Sequence, residues 1–302
     1  MGSGGYFDWA MFDVVSFLTR LPVKRGAKIE AVAAKSYLFP LAASFIGLVV
    51  GAVAFGGLAV LRFGGLAVLR FGVWGSEAGS EAGSELAALL VLLALYSLTG
   101  LLHLDGLADF FDGLMAGGGR SEKRRAMKDE KLGVAGLFAV VFVLLLNLFA
   151  VKTVCSGADF TAGFTAGFTA GFTHFYEFVG VFVVAEVSAK VSVNTCLFLG
   201  RRADATASAG SNEGLEVKGL GALFIKSQTA PKFAFALVSA VLVSLFFGTS
   251  FGVVVFVGVV VAFFVSRLAR RNFGVVSGDV LGASNELART ATLLVLAILW
   301  GV

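Results

Sequence analysis

Charged residues and proline are scarce in this sequence, and no polar segment is long enough to fold by itself. Charged residues make up 15% of the 302 residues, against about 25% in a typical soluble domain, and only three residues are proline. Hydrophobic residues make up 58%, and the mean hydropathy is +0.91. These proportions argue against a water-soluble domain of any size. They predict an all-α fold, a polytopic bundle of membrane-spanning helices.

Cysteine and histidine are also scarce. The two cysteines, Cys155 and Cys196, lie in or beside apolar runs, and the sequence has no CxxC pair and no Cys/His cluster. This pattern argues against a zinc site and against a disulfide framework. The net charge of +4 indicates basic residues in cytoplasmic loops of a membrane protein, and not a nucleic-acid partner.

Apolar runs of membrane length predict about seven spans, which we treat as one membrane-embedded domain covering residues 1–302. The expected spans are residues 37 to 61 or beyond, 134 to about 154, and 86–102, 174–199, 233–247, 253–264 and 290–302. The polar segments expected around them are an amphipathic N-terminal segment at 1–35, an acidic segment at 103–131, and loops at 200–232 and 267–289.

Three perfect short repeats mark segments that tolerate insertion. FGGLAVLR occurs twice from Phe55, GSEA twice from Gly75 and FTAG three times from Phe160. Exposed segments that tolerate insertion usually lie away from a functional site. We therefore expect the repeats on the face opposite the site, and we expect the first span to overshoot the bilayer or break.

Positive charge is distributed unevenly among the connecting segments. If the N-terminus is cytoplasmic, the segments 105–131, 200–232 and 267–289 face inward, and they hold most of the lysine and arginine. This is the pattern described by the positive-inside rule. Seven spans would then put the polar stretches 103–113 and 277–286 on one cytoplasmic face, where they predict a single site.

Three carboxylates follow the second apolar run in the stretch HLDGLADFFDG, residues 103–113. Asp105, Asp109 and Asp112 are spaced i, i+4 and i+7, so a helix places all three on one face. One interpretation is a solvated acidic face. The other is a Mg²⁺ site, because carboxylates suit hard cations. Ionisable residues at the end of a membrane-length run indicate function, which favours the metal site.

Other polar residues near the apolar runs are candidates for the same site. His103 is either a general base or a hydrogen-bonded structural residue. Glu186 and Lys190 are spaced i, i+4 and form a structural ion pair, unless Lys190 contacts a substrate phosphate. Gly278 before Asp279 fits a tight turn that presents a carboxylate. Clustered carboxylates beside lysine and arginine suit phosphoryl transfer, in which a metal neutralises phosphate oxygens.

Motifs along nearly the whole chain are similar to those of the cobalamin synthase family, adenosylcobinamide-GDP ribazoletransferase or cobalamin-5′-phosphate synthase. The most specific is HLDGLAD at 103–109, followed by Asp112 and Gly113. The others are FLTRLPV at 17–23, FPL at 39–41 with Gly47, Arg124, MKD at 127–129, Gly133, Gly278 with Asp279, Gly282 with Ala283, and Glu286. The tandem repeats depart from the family pattern at the ends of the first and fourth spans.

The resemblance implies a transferase of the inner, cytoplasmic membrane that acts in the last steps of cobalamin assembly. It would join adenosylcobinamide-GDP to α-ribazole or its 5′-phosphate, release GMP and use Mg²⁺ at a cytoplasmic site. The implied roles are metal binding by Asp105, Asp109 and Asp112 with Asp129 in support, and neutralisation of the pyrophosphate by Arg124 and Lys128. Asp279 and Glu286 would position the nucleophile or complete the metal shell. The candidate catalytic residues are the four aspartates at 105, 109, 112 and 129 with His103, and Lys190 is a further candidate for binding the substrate. The expected partners are the two substrates and the lipid bilayer, and a homo-oligomer stays open.

Two other functions stay open at this point. A CDP-alcohol phosphotransferase also uses clustered aspartates, but its DGxxAR pattern is not met here. A cation-coupled transporter would use Glu186 and the aspartates near the middle of the bilayer, at broken helices. The acidic motifs lie instead at the predicted ends of spans, which favours an enzyme.

Overall fold

The computed structural model describes residues 4–21, 28–61, 77–157, 168–208 and 219–300, and every regular element in these ranges is a helix. The predicted all-α fold is therefore confirmed. The α-helices in chain order are α1 (Gly4–Leu18), α2 (Ile29–Ala34), α3 (Phe39–Ala59), α4 (Glu77–Thr99), α5 (Leu102–Met115), α6 (Arg120–Ala126), α7 (Val134–Gly157), α8 (Phe168–Ser208), α9 (Leu220–Ser227), α10 (Ala230–Phe247), α11 (Thr249–Val254), α12 (Val257–Asn272) and α13 (Gly278–Trp300).

Five stretches of helix in the described ranges are long and apolar enough to cross a membrane. They are Ser36–Ala59, Val134–Gly157, Phe175–Arg202, Ala230–Phe247 and Thr249–Asn272. A sixth candidate, Gly83–Thr99 with Leu102–Met115, passes only as a pair bent by 93°. The predicted polytopic membrane bundle is confirmed, and the described ranges contain five or six candidate spans where the sequence predicts about seven.

The C-terminal helix is one source of the difference in span number, and the bent pair of α4 and α5 is the other. Residues 290–302 were expected to form a span, but Thr290 lies in the middle of α13, which begins at Gly278. The first half of α13 carries Asp279, Glu286 and Arg289. These charges make the helix too polar to count as a span by composition, although it packs inside the bundle.

Helix α8 forms the centre of the bundle. The membrane-length part of α8 is 94% buried by the rest of the protein, whereas that of α10 is 22% buried and that of α7 is 33% buried. Helices α3, α10, α12 and α13 all pack against α8. Side chains on α8 are therefore the most enclosed part of the molecule, and the outer faces of α7 and α10 are left for lipid.

The two predicted cytoplasmic loops are more helical than expected. In the segment 267–289, only residues 273–277 lie between helices, because α12 runs to Asn272 and α13 starts at Gly278. In the segment 200–232, α8 continues to Ser208 and α9 follows. The charged side chains at these positions therefore extend helices beyond their apolar parts, and the prediction of loops is wrong there. The tandem repeats lie mainly outside the described residues, as does the end of the first span.

Candidate functional site

A sharp bend brings the acidic stretch out of line with the helix before it. Helix α4 ends at Thr99, and Gly100 follows with a φ of +73°, a conformation that glycine adopts readily and other residues rarely do. The next helix, α5, is bent by 93° from α4. Its 14 residues span about 21 Å, too short to cross a hydrocarbon core of about 30 Å. We therefore treat α5 as lying outside the membrane-spanning segments.

Helices α5 and α13 touch at two glycines, and this contact joins the two acidic motifs. A methyl group added to Gly106 would lie 3.1 Å from the Cα of Asp279 and 3.3 Å from that of Gly282. One added to Gly282 would lie 3.1 Å from the carbonyl oxygen of His103. Residues 103–109 and 279–282, far apart in the chain, are therefore in contact, which is the arrangement that the prediction of a single site requires.

Carboxylates from both helices repel one another at this contact. Burial and the charges of Asp105, Asp279 and Asp112 raise the pKa of Asp109 to about 6. The pKa of Asp279 is also raised, mainly by burial and also by Asp105, although its hydrogen bond from Ser277 and the charge of Lys128 act in the opposite direction. The cluster has more negative charge than its neighbours neutralise. A bound cation would remove this repulsion.

Asp112 differs from the other acidic residues of α5 because both oxygens of its carboxylate accept hydrogen bonds from backbone N–H groups. Its Oδ2 accepts a hydrogen bond of 2.8 Å from the backbone N–H of Gly133, and its Oδ1 accepts one of 2.8 Å from that of Gly136. These amides lie at the start of α7, where backbone N–H groups lack partners within the helix. Asp112 thus ties α5 to the N-terminus of α7. A metal role for it stays a prediction.

No three acidic, histidine or cysteine side chains in the described ranges lie close enough together to form a metal site by themselves. Mg²⁺, however, often binds through one or two carboxylates and completes its shell with water and substrate phosphates. Asp105, Asp109 and Asp279 supply oxygen donors of this kind, and their mutual repulsion is what a divalent cation would relieve. The residues present therefore fit a Mg²⁺ ion that is coordinated both by these carboxylates and by a substrate phosphate.

The basic helix α6 is anchored to the end of α12. Nη1 of Arg124 donates a hydrogen bond of 2.8 Å to the carbonyl oxygen of Phe273, and Lys123 donates to the carbonyl of Leu114 and to the side chain of Asn272. Cations are favourable at a helix C-terminus, where carbonyl groups lack partners. Arg124 therefore has a structural contact, and its other N–H groups remain for a phosphate.

The remaining predicted residues of the 103–131 segment lie at the surface. Lys128 is exposed and close enough to Asp279 for its charge to lower the pKa of that carboxyl group. Asp129 is also exposed, and its Oδ1 accepts a hydrogen bond from the backbone N–H of Lys131. The structure thus brings Lys128 to the cluster and places Asp129 in the turn before α7, where its support of the metal stays a prediction.

His103 is linked to the buried interior of the bundle by its contact with Lys190. Nε2 of His103 lies 3.5 Å from Nζ of Lys190, and Nδ1 is buried without a hydrogen-bond partner among the described residues. An ammonium group has no acceptor, so a hydrogen bond here requires Nε2 to accept and places the imidazole proton on Nδ1. This contact favours the hydrogen-bonded alternative for His103. Its catalytic role stays a prediction.

Behind His103, a network of buried charges joins α8 and α13. Arg289 contacts both carboxylates, since Nε donates to Oε1 of Glu186 and Nη1 donates to Oε1 of Glu286, each at 2.5 Å. Oε2 of Glu286 also accepts a hydrogen bond of 3.0 Å from the hydroxyl of Tyr96. The predicted partner of Glu186 was Lys190, but the bond goes to Arg289, and Lys190 donates to Asn285.

These contacts separate the predicted site residues into two groups. Glu286 is 1% exposed and Lys190 is 1% exposed, so both belong to the buried network and not to the acidic cluster at the surface. Their predicted contacts with substrate or metal are not visible in this arrangement, and these roles stay predictions.

Comparison with known proteins gives one consistent family. The family model described as cobalamin-5-phosphate synthase matches residues 10–297. The chain belongs to this family. A protein named adenosylcobinamide-GDP ribazoletransferase from Thermococcus kodakarensis is 30% identical over 96% of this chain and 99% of its own. One of the same name from Pyrococcus abyssi is 32% identical over 95% and 97%, and one from Methanococcoides burtonii is 28% identical over 97% and 93%. No solved structure matches the chain.

In this member of the cobalamin-5-phosphate synthase family, the sequence did not identify several residues that the structure places near the site. Arg289, Tyr96 and Asn285 enter the network only through tertiary contacts, although an arginine within an apolar run is itself a signal of function. Arg20 was part of a quoted motif without a role. Its backbone N–H donates to the carbonyl of Leu98, and its side chain lies against Gly100 at the bend.

Proposed function

We propose that this protein joins adenosylcobinamide-GDP to α-ribazole or α-ribazole 5′-phosphate and releases GMP, with Mg²⁺ bound between α5 and α13. The proposal rests on family membership and on the printed names of the relatives. The observation that carries it is the convergence of Asp105 and Asp109 with Asp279 from a second helix. Two carboxylate-bearing helices that meet beside lysine and arginine suit the transfer of a phosphorus-containing group.

The bond changes follow from the substrates. A ribose hydroxyl oxygen attacks the phosphorus on the cobinamide side of the pyrophosphate, and the bond from that phosphorus to the oxygen bridging to GMP breaks. The hydroxyl proton goes to a carboxylate of the cluster, and GMP leaves with the bridging oxygen. Bound Mg²⁺ would neutralise phosphate oxygens. Asp105 and Asp109 would hold it, with Asp279 facing them across the Gly106–Gly282 contact.

Cations near the cluster would bind the pyrophosphate. Lys128 already acts electrostatically on Asp279, and Arg124 keeps N–H groups that Phe273 does not use. Both residues are in segments that the positive-inside rule assigns to the cytoplasm. We therefore propose a cell-membrane enzyme whose site opens to the cytoplasmic face, where a water-soluble nucleotide product can leave.

The test is GMP release by the purified protein in liposomes, given adenosylcobinamide-GDP and α-ribazole phosphate, with Mg²⁺ or with a chelator. We expect GMP release that depends on the metal and is lost in Asp109→Asn. Glu85→Gln is the matched control, because Glu85 is an exposed carboxylate whose partner is Lys152, away from the cluster. Normal GMP release in Asp109→Asn would contradict the site. Folded wild-type protein that releases no GMP would contradict the function, and CDP-alcohol substrates would be tried next.

A further inference from the structure

Four ionisable side chains are enclosed between α8 and α13, behind the acidic cluster. Glu186 is 2% exposed, and Lys190, Glu286 and Arg289 are each 1% exposed. Two positive and two negative charges balance one another. Burying such a group is costly, and well-packed apolar residues often stabilise a fold equally well or better. Packing alone therefore does not account for these four residues, and ionisable groups inside a membrane protein point to function.

A continuous chain of contacts runs from Arg289 to the acidic helix. Nη1 of Arg289 donates to Oε1 of Glu286, which also accepts a hydrogen bond of 3.1 Å from Nδ2 of Asn285. Oδ1 of Asn285 accepts from Nζ of Lys190, and Nζ lies 3.5 Å from Nε2 of His103. The side-chain amide of Asn285 both accepts and donates a hydrogen bond, so its orientation is fixed. Each member of the chain thus restrains the next.

The chain ends at the point where the two acidic motifs meet. His103 lies in the first turn of α5, and its carbonyl oxygen is one of the groups closest to Gly282 of α13. Asp105 follows two residues later. Arg289 lies ten residues after Asp279 on α13, about 15 Å along the helix axis. Arg289 is therefore too distant from Asp279 to join the acidic cluster, and any effect it has there must act through its neighbours.

We propose that Arg289 is a positioning residue for the transfer site. By fixing Glu286 and Asn285, it holds Lys190 against His103 and so sets the orientation of the imidazole beside the acidic cluster. The Nδ1 atom of His103, which is buried and has no hydrogen-bond partner in the described part of the chain, is then the donor left for a water or a substrate oxygen. The effect of Arg289 on turnover rests on the proposed transfer reaction. Its effect on His103 does not.

The activity test is a double-mutant cycle between Arg289 and His103. Arg289→Lys keeps the positive charge but loses the planar group that contacts two carboxylates at once. We expect kcat for GMP release to fall by roughly 10- to 100-fold, with the KM values little changed. In a His103→Ala background the same substitution should have no further effect, because coupled residues are not additive. Independent, multiplying effects would overturn the proposal.

A matched control separates positioning from general loosening of the helix pair. Thr292 and Ser188 form a buried hydrogen bond of 2.8 Å that also joins α13 to α8, but it has no link to His103. Thr292→Val should keep the wild-type kcat. If Arg289→Lys does not fold, Asn285→Ala breaks the chain further along and leaves both ion pairs of Arg289 in place, and it should show the same loss and the same coupling. A loss in Thr292→Val equal to that in Arg289→Lys would overturn the proposal.

The second measurement does not depend on activity. The chain has two histidines, so selective ¹⁵N labelling, with His174→Gln for assignment, resolves the ring nitrogens of His103. We expect signals of a neutral imidazole protonated at Nδ1 in the wild type and in Thr292→Val, and altered signals in Arg289→Lys and Asn285→Ala. Unaltered signals in the last two would overturn the proposal. Absence of GMP release by the wild type would instead contradict the proposed function.

Discussion

The two charged regions of this molecule differ in charge balance and in burial. The acidic cluster between α5 and α13 is partly exposed and carries negative charge that nearby residues do not neutralise. The network between α8 and α13 is fully buried, and its two carboxylates and two cations balance. The same helix, α13, contributes to both, with Asp279 at one end and Arg289 ten residues on. An unbalanced cluster is suited to bind a cation, whereas a balanced network is suited to hold side chains in place.

The largest effect on activity is expected from the cluster. Asp109→Asn removes a proposed metal ligand, and the charge stabilisation that a metal supplies is worth several kcal/mol, so we expect GMP release to fall by more than about a hundredfold. The fold should not be destabilised, because the substitution removes a charge that three neighbouring carboxylates repel. GMP release and the unfolding midpoint in the same detergent check the two parts. A variant that is inactive because it is unfolded would contradict this view of the cluster.

The largest effect on stability is expected from the network. Glu286→Gln leaves Arg289 with only Glu186 as a charged partner, and breaking a buried ion pair costs about 3–5 kcal/mol. We expect a lower free energy of unfolding, measured by denaturant titration of the detergent-solubilised protein. Glu85→Gln, which breaks the exposed pair with Lys152, should have an effect of about 1 kcal/mol or less. Equal effects of the two substitutions would remove the distinction between the regions.

A smaller effect is expected where the two helices of the cluster touch. In Gly106→Ala the added methyl group would lie 3.1 Å from the backbone of Asp279, so α5 and α13 must move apart by a few tenths of an ångström. Overpacking costs about 1–3 kcal/mol, and we expect reduced turnover and weaker metal binding. Gly56→Ala is the control, because no atom of the described residues lies within 4 Å of its added methyl group. Unchanged turnover in Gly106→Ala would show that the helix spacing is not critical.

The smallest effect is a pH dependence of stability. The pKa of Asp109 is raised from its ordinary value of 3.8 to about 6, so between these pH values the folded protein holds the proton more tightly than the unfolded chain. Its contribution to stability is therefore present at low pH and is lost as the pH rises towards 6. Without divalent cations, wild type should gain more stability than Asp109→Asn as the pH falls from 7 to 5. Identical pH profiles of the unfolding midpoint would contradict the raised pKa.

The acidic cluster was predictable from the sequence because its information is local. The spacing of Asp105 and Asp109 placed them on one helix face, and counting of the connecting segments placed Asp279 on the same side of the membrane. The contact between Gly106 and Gly282 confirms that the two motifs meet. The role of Asp112 at the start of α7 was not predictable, because it depends on where the amides of Gly133 and Gly136 lie in three dimensions.

The buried network was harder to predict because several helices compete for the same partners. The i, i+4 spacing of Glu186 and Lys190 suggested a pair within α8, but Arg289 binds Glu186 with two nitrogens. A planar guanidinium group matches a carboxylate better than an ammonium group does. Lys190 is thereby left for Asn285 and His103, a result that no local spacing could indicate.

Binding of a divalent cation to the cluster is the most direct test of the difference between the two regions. Mn²⁺ binding, followed by electron paramagnetic resonance on detergent-purified protein at pH 7, would be compared among wild type, Asp109→Asn, Asp279→Asn and Glu85→Gln. We expect saturable binding in wild type and Glu85→Gln, and strongly weakened binding in the two cluster variants. Equal binding in all four proteins, or none in the wild type with and without substrate, would contradict a cation site between α5 and α13.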